Sequence, residues 1–181
     1  MKLFGMALAL ACCGAGAAKA DWEYTKWGMT PAQVAGAAKN LTKESTDLHP
    51  DSDGNVTRLV APYKNGKFSF EAQFGFDAGN RLSSVTLVLN DKSAGMDMDM
   101  GGDMNMAGMD MGANMDHGGC HDLQASVKAK YGPRQGGGSA HMQYSIETWQ
   151  DRKSRNNIKY TVLDGVGCYV QYSAIKPAGA H

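Results

Sequence analysis

The sequence predicts an α+β fold made of two halves, each a helix followed by three strands (αβββ), with an antiparallel sheet and a disordered Met-rich loop between the halves. Three observations predict it: a helix-start signal near residue 30, alternating apolar residues between 57 and 89, and a second helix-then-strands pattern after residue 120. We divide the chain into a signal peptide (1–20), a first half (21–94), a Met/Asp/Gly-rich insertion (95–119), a second half (120–176) and a tail (177–181).

The N-terminus has the three parts of a secretory signal peptide. Lys2 gives the positively charged start, residues 3–11 form a short apolar run, and residues 18–20 are a small-x-small cleavage site. We therefore expect a periplasmic or secreted protein that is cleaved after Ala20. The residues before Cys12 fit a lipid-attachment site only loosely, so we expect no lipid anchor.

Charge, hydropathy and motifs exclude several classes of protein. The chain has 18 basic and 18 acidic side chains, so it lacks the excess of cations that a nucleic-acid-binding protein uses to displace counterions. No run of 18 apolar residues follows the N-terminal segment, so we expect no membrane-spanning helix in the mature chain. The sequence also lacks Gly-x-Ser-x-Gly, a phosphate-binding loop and His-Glu-x-x-His, and we expect no enzymatic activity.

The helix of the first half begins with a capping box. Thr30 is placed as the N-cap, Pro31 as the first helical residue, and Gln33 stands three residues after the cap. We expect the helix to run to about Asn40. The polar stretch 42–55 then predicts a loop.

Alternating apolar residues predict a β meander after that loop. Residues 68–76 alternate Phe or Ala with Ser, Glu, Gln or Gly, which is the pattern of a strand with one buried face. Residues 57–63 and 82–89 predict the flanking strands, and Asn65-Gly66 predicts a hairpin turn between the first two.

The second half repeats this order. Asp122 is the predicted N-cap, Leu123, Val127 and Tyr131 form one apolar stripe, and Gly132 followed by proline is a helix stop. The Gly-rich stretch 134–140 predicts a loop. Three short strands are predicted at 146–149, 158–162 and 168–172.

Two cysteines remain after signal cleavage. In an oxidising compartment such a pair favours a disulfide, here Cys120–Cys168. The alternative makes Cys120 a thiolate ligand of a soft metal, because it stands in His117-Gly-Gly-Cys120-His121.

Short motifs in both halves resemble a class of small exported bacterial domains. The segments 27–34 (WGMTPAQV) and 131–133 (YGP) resemble the β-lactamase-inhibitor and outer-membrane-assembly lipoprotein type, in which short helices pack on an antiparallel sheet. Those proteins act by binding other proteins. The resemblance therefore implies a non-catalytic binding domain.

The insertion is the main clue to function. It combines closely spaced methionines, five aspartates and five glycines before His117, with no lysine or arginine. Thioethers are soft ligands that select Cu(I) and similar ions, and Met-x-Met spacing lets two sulfurs reach one ion. The predicted ligands are Met96, Met98, Met100, Met104, Met106, Met109, Met111, Met115 and His117.

Residues 111–117 (MGANMDH) resemble the Met/Asp/Gly/His runs of periplasmic copper-resistance proteins. This implies a protein that binds Cu(I) or Ag(I) for buffering, tolerance or delivery, with copper as its cofactor if it has one. Three other interpretations stay open: one face of a strand, a low-complexity insertion without a ligand, and a trap for oxidants. A different function also stays open, in which the chain binds another envelope protein and the Met-rich insertion is incidental.

Overall fold

The computed structural model describes residues 21–90, 118–139, 144–163 and 166–175. Strand accounts for 51% and helix for 17% of these residues, so the chain is mostly β and the predicted α+β class with αβββ halves is wrong. The elements in chain order are β1 (Asp21–Trp22), β2 (Thr25–Lys26), α1 (Pro31–Ala37), β3 (Lys43–Glu44), β4 (Val56–Asn65), β5 (Phe68–Phe76), β6 (Leu82–Leu89), α2 (Gly118–Tyr131), β7 (Gly136–Ser139), β8 (Tyr144–Asp151), β9 (Asn156–Leu163) and β10 (Gly167–Ala174).

Eight of the strands form one antiparallel sheet in the order β3-β4-β5-β6-β10-β9-β8-β7. The four strands after α1 therefore lie side by side, as do the four strands after α2, and the two groups meet where β6 pairs with β10. The strands β1 and β2 form a separate two-stranded sheet. Each group thus has four strands in the large sheet rather than the three that the sequence predicts.

The two additional strands lie at the edges of the sheet, in stretches predicted as loops. The strand β3 is two residues long and pairs with β4 only opposite Leu59 and Val60. The strand β7 has the sequence GGGS and pairs with β8 from Gly136 to Ser139. Neither has an alternation of apolar and polar side chains, because one is too short and the other consists mainly of glycine. Backbone pairing with a neighbour makes them strands, and a pattern of side chains cannot reveal that.

The predicted start of α1 is confirmed. The Thr30 side chain accepts a hydrogen bond from the Gln33 backbone N–H, and the Gln33 side chain accepts one from the Thr30 N–H at 2.9 Å. Such a box satisfies two donors that the first turn leaves unpaired. The helix ends at Ala37, before the predicted Asn40, because Lys39 and Asn40 have positive φ angles.

The predicted hairpin between β4 and β5 is present, but its turn lies one residue later. Asn65 pairs with Phe68, so the two central residues are Gly66 and Lys67. Only Gly66 has a positive φ, as a type II′ turn requires.

The helix α2 begins at Gly118, so Asp122 is inside the helix and is not its N-cap. The predicted stripe is confirmed, since Leu123 and Val127 are buried and Tyr131 packs against the core. The helix ends at the predicted stop, where Gly132 has a φ of +81° and donates its N–H to the Lys128 carbonyl. Neither helix among the described residues is long and apolar enough to cross a membrane.

The hydrophobic core lies on one face of the large sheet. Trp22 from the N-terminal hairpin, Val34 from α1 and Leu123 from α2 belong to the same buried cluster as Phe74 and Val170 of the sheet. Alternate residues along each strand point to the opposite face. In one cross-strand row that face presents Gln73, Thr86, Gln171, Lys159 and Thr148. We name it the polar face after this row, although the adjacent row includes Val88, Tyr169 and Ile146.

Candidate functional site

The Met-rich insertion leaves and rejoins the fold at the same end of the sheet. Asn90 follows β6, and its N–H donates to the Ser69 carbonyl, near the β4–β5 hairpin, at 2.9 Å. The hairpin residue Lys67 forms an ion pair with Asp122, in the N-terminal part of α2. Both attachment points are therefore next to one hairpin.

The N-terminal turn of α2 is tied to the sheet by a disulfide. Cys120 and Cys168 are joined, with their Cα atoms 5.7 Å apart, and both side chains are buried. The Tyr160 hydroxyl also donates to the Cys120 carbonyl at 2.7 Å. Because both sulfurs are in the disulfide, neither is a thiolate ligand for a metal in this structure.

The predicted metal ligands, Met96 through Met115 and His117, lie outside the described residues. Among the residues that are described, no group of three or more His, Cys, Asp or Glu side chains could hold a metal ion. A soft-metal site in the insertion therefore stays a prediction from sequence chemistry.

His121 is a side chain of a metal-binding type that is outside the predicted set of ligands. It is exposed on α2, one residue after Cys120, where the insertion rejoins the fold. Imidazole is a common copper ligand. The predicted helix start at Asp122 puts His121 outside the helix, whereas the observed start at Gly118 puts it inside.

The ion pair with Lys67 favours the ionised form of Asp122, which is next to His121 in the sequence. The hydrogen bond from the Lys67 ammonium lowers the pKa of the Asp122 carboxyl below its ordinary value, and the positive charge of Lys67 adds to the effect. The carboxylate therefore stays ionised at a lower pH than an isolated aspartate. Both side chains are exposed, so the pair contributes little to stability.

A second candidate site, separate from the attachment points of the insertion, is a groove on the polar face with a volume of about 440 Å³. Its floor consists of two cross-strand rows on β8, β9 and β10. The rows are Thr148–Lys159–Gln171 and Gln150–Asn157–Ser173. Asp53 and Gln135 also line the groove.

The loop that carries Asp53 is held in place by Asp51. One Asp51 carboxylate oxygen accepts the N–H groups of Asp53 and Asn55 at 2.9 Å, and the other accepts the Gln171 side-chain amide at 3.4 Å. The loop therefore acts as a wall that contacts the strand floor.

Nothing matches the chain among protein-family models, curated proteins or solved structures. The resemblance to the β-lactamase-inhibitor and outer-membrane-assembly lipoprotein type stays a prediction.

Proposed function

We propose that this protein is an exported, non-enzymatic binding protein for Cu(I) or Ag(I), which takes up the ion through the Met-rich segment 95–117. The observation that carries the proposal is the presence of eight methionines between residues 96 and 115, followed by His117 and without a lysine or arginine. Thioether sulfur needs no deprotonation and prefers soft ions. Five aspartates in the same segment attract cations.

The disulfide between Cys120 and Cys168 supports methionine and histidine as the metal ligands. Cys120 and Cys168 are used in the disulfide, so thioethers and imidazoles are the soft donors left for a metal in the mature chain. Free thiols oxidise readily in the periplasm, whereas methionine and histidine still bind Cu(I) there. In this proposal the cysteines stabilise the fold through the disulfide, and a different segment of the chain binds the ion.

The attachment points support a rigid domain that carries this segment. The Asn90–Ser69 bond, the Lys67–Asp122 pair and the disulfide hold both ends on the sheet without using any predicted ligand. The fold is therefore expected to form without the ion. Copper buffering, tolerance or delivery to another envelope protein would all use such an arrangement.

Deletion of residues 95–117 tests this proposal. Cu(I) is titrated into the mature protein and into the deletion variant in the presence of a competing chelator. We expect the intact protein to take up one or more ions and the deletion variant none, with the same thermal unfolding midpoint for both when apo. Equal uptake by both proteins, or no uptake by either, would contradict the proposal.

A second candidate function is the binding of another envelope protein through the polar face. The observation that favours it is that both helices pack on the opposite face, which leaves a row of side chains from Gln73 to Thr148 across five strands. In a pull-down from envelope extract, this function predicts a partner that the 95–117 deletion retains and a Thr86→Arg variant loses. Loss with the deletion and retention by Thr86→Arg would contradict it.

A further inference from the structure

Lys159 is on the polar face and forms no ion pair with the residues that the structure describes. It is half-buried on β9, between two neighbouring strands. Among residues 21–90, 118–139, 144–163 and 166–175, no carboxylate lies within ion-pairing distance of its ammonium. Lysines that lose water contact usually gain an opposite charge. This position therefore favours an anionic ligand.

The side chains around Lys159 can bind groups that both donate and accept hydrogen bonds. Thr148 and Gln171 are its direct cross-strand neighbours. Gln171 uses one amide N–H on Asp51, and the Gln150 side-chain amide donates to the Asn157 side-chain oxygen at 3.3 Å. A side-chain amide has two donors and an acceptor with two lone pairs, so each retains free capacity. Hydroxyl groups match this mixture of donors and acceptors.

The groove is half-open to solvent and has the volume of a small-ligand site. Its volume of about 440 Å³ lies within the range of pockets that hold small molecules. Asp53, on the loop fixed by Asp51, adds an acceptor-only carboxylate to the lining. Asp53 can accept hydrogen bonds from hydroxyl groups but repels a second anion.

We propose that this groove binds a polyhydroxylated carboxylate of the uronic-acid class. The carboxylate pairs with the Lys159 ammonium, and the hydroxyl groups bond to the amides of Gln150 and Gln171, the hydroxyl of Thr148 and the carboxylate of Asp53. A free sugar acid and an acidic polysaccharide both present this chemistry. The site is independent of the Met-rich segment and adds a second ligand to the metal proposed above.

The test is NMR titration of the intact ¹⁵N-labelled protein with glucuronate, glucose and acetate. We expect saturable shifts of the amides of Thr148, Lys159 and Gln171 with glucuronate, and at least tenfold weaker binding of glucose and acetate. A glucuronate-containing oligosaccharide is the second arm. Tighter binding than the monosaccharide assigns the site to a polysaccharide, and equal binding assigns it to the free sugar acid.

Two variants and one control decide the role of the lysine. Lys159→Met keeps the aliphatic stem and removes the charge, and Thr148→Glu places a carboxylate across from Lys159; each should weaken glucuronate binding at least tenfold. Lys153→Met, in the exposed β8–β9 turn, should bind as the intact protein does. Unchanged binding by both Lys159→Met and Thr148→Glu, equal shifts with glucose, or no shifts with glucuronate would overturn the proposal. The 95–117 deletion should bind glucuronate normally, which separates this site from the metal site.

Discussion

Gly137 and Gly138 are adjacent in β7, but only one of them needs to be glycine. A Cβ at Gly137 would come within 2.1 Å of the Ile146 carbonyl oxygen, and the residue has a φ of +108°. A Cβ at Gly138 would meet no atom within 4 Å. The two positions therefore form a matched pair for testing the geometry of this edge strand.

We predict that Gly137→Ala lowers the free energy of unfolding by about 1–3 kcal/mol, because the side chain clashes with backbone and strains φ. Gly138→Ala should change it by less than about 0.5 kcal/mol. Urea unfolding of both variants measures the difference. Equal values would mean that β7 does not have this conformation.

Two tyrosines are expected to make the free energy of unfolding fall at alkaline pH. Burial raises the pKa of Tyr160 and of the partly buried Tyr172, and the carboxylate of Glu147 adds to the shift of Tyr160. A pKa that is raised on folding gives stability that is fully present below the unfolded value of about 10 and lost as the pH rises through the folded value. The protein should therefore lose stability above about pH 10.

Tyr160→Phe tests this linkage. At pH 7 it should lower the free energy of unfolding by about 1 kcal/mol, because the hydrogen bond to the Cys120 carbonyl is lost. Between about pH 10 and 12 its stability should fall less steeply than that of the intact protein. Tyr144→Phe, which changes an exposed tyrosine, is the control. Parallel pH profiles for Tyr160→Phe and the intact protein would contradict the account.

At the scale of single elements, side-chain alternation decided what the sequence could predict. Phe70, Ala72, Phe74 and Phe76 in β5 are all buried, as their spacing predicts. The strands β3 and β7 have no such pattern, and only the backbone of a neighbouring strand defines them. The predicted start of α2 at Asp122 is later than the observed start at Gly118, because the glycines at 118 and 119 are poor helix formers and do not indicate a helix.

The disulfide joins the helix α2 to the strand β10, which are far apart in sequence. It closes a separation of 48 residues, for which loop-closure entropy gives roughly 4 kcal/mol. We predict that Cys120→Ala with Cys168→Ala lowers the free energy of unfolding by about that amount. Urea unfolding with and without reductant measures it. Reductant should lower the free energy of unfolding of the intact protein by as much as the double substitution does. A change in the free energy of unfolding of the double variant on addition of reductant would contradict this assignment.

At the scale of the whole molecule, the pairing of β6 with β10 is the feature that the sequence could not reveal. Val85 lies opposite Tyr172, although the two residues are separated by the insertion and most of the second group of strands. Local patterns predict strands but do not say which distant strands are neighbours. The groove around Lys159 could not be predicted for the same reason. Its floor is defined by the register of three strands, and its wall by the contact of the Asp51 loop with Gln171.

The proposed separation between a rigid domain and a metal-binding segment is also a property of the whole molecule. The predicted ligands were found by composition alone, since thioether chemistry does not depend on the fold. The attachment of the segment beside the β4–β5 hairpin was not predictable, because it requires the contacts of Ser69 and Lys67.

The most direct test replaces all eight methionines between residues 96 and 115 with leucine and measures Cu(I) affinity against a chelator. Leucine keeps a similar volume and removes the sulfur. The matched control replaces the five aspartates of the segment with asparagine, which removes charge and keeps the thioethers. The account predicts that the leucine variant loses Cu(I) binding, whereas the asparagine variant still binds with reduced affinity. Full Cu(I) binding by the leucine variant would contradict it.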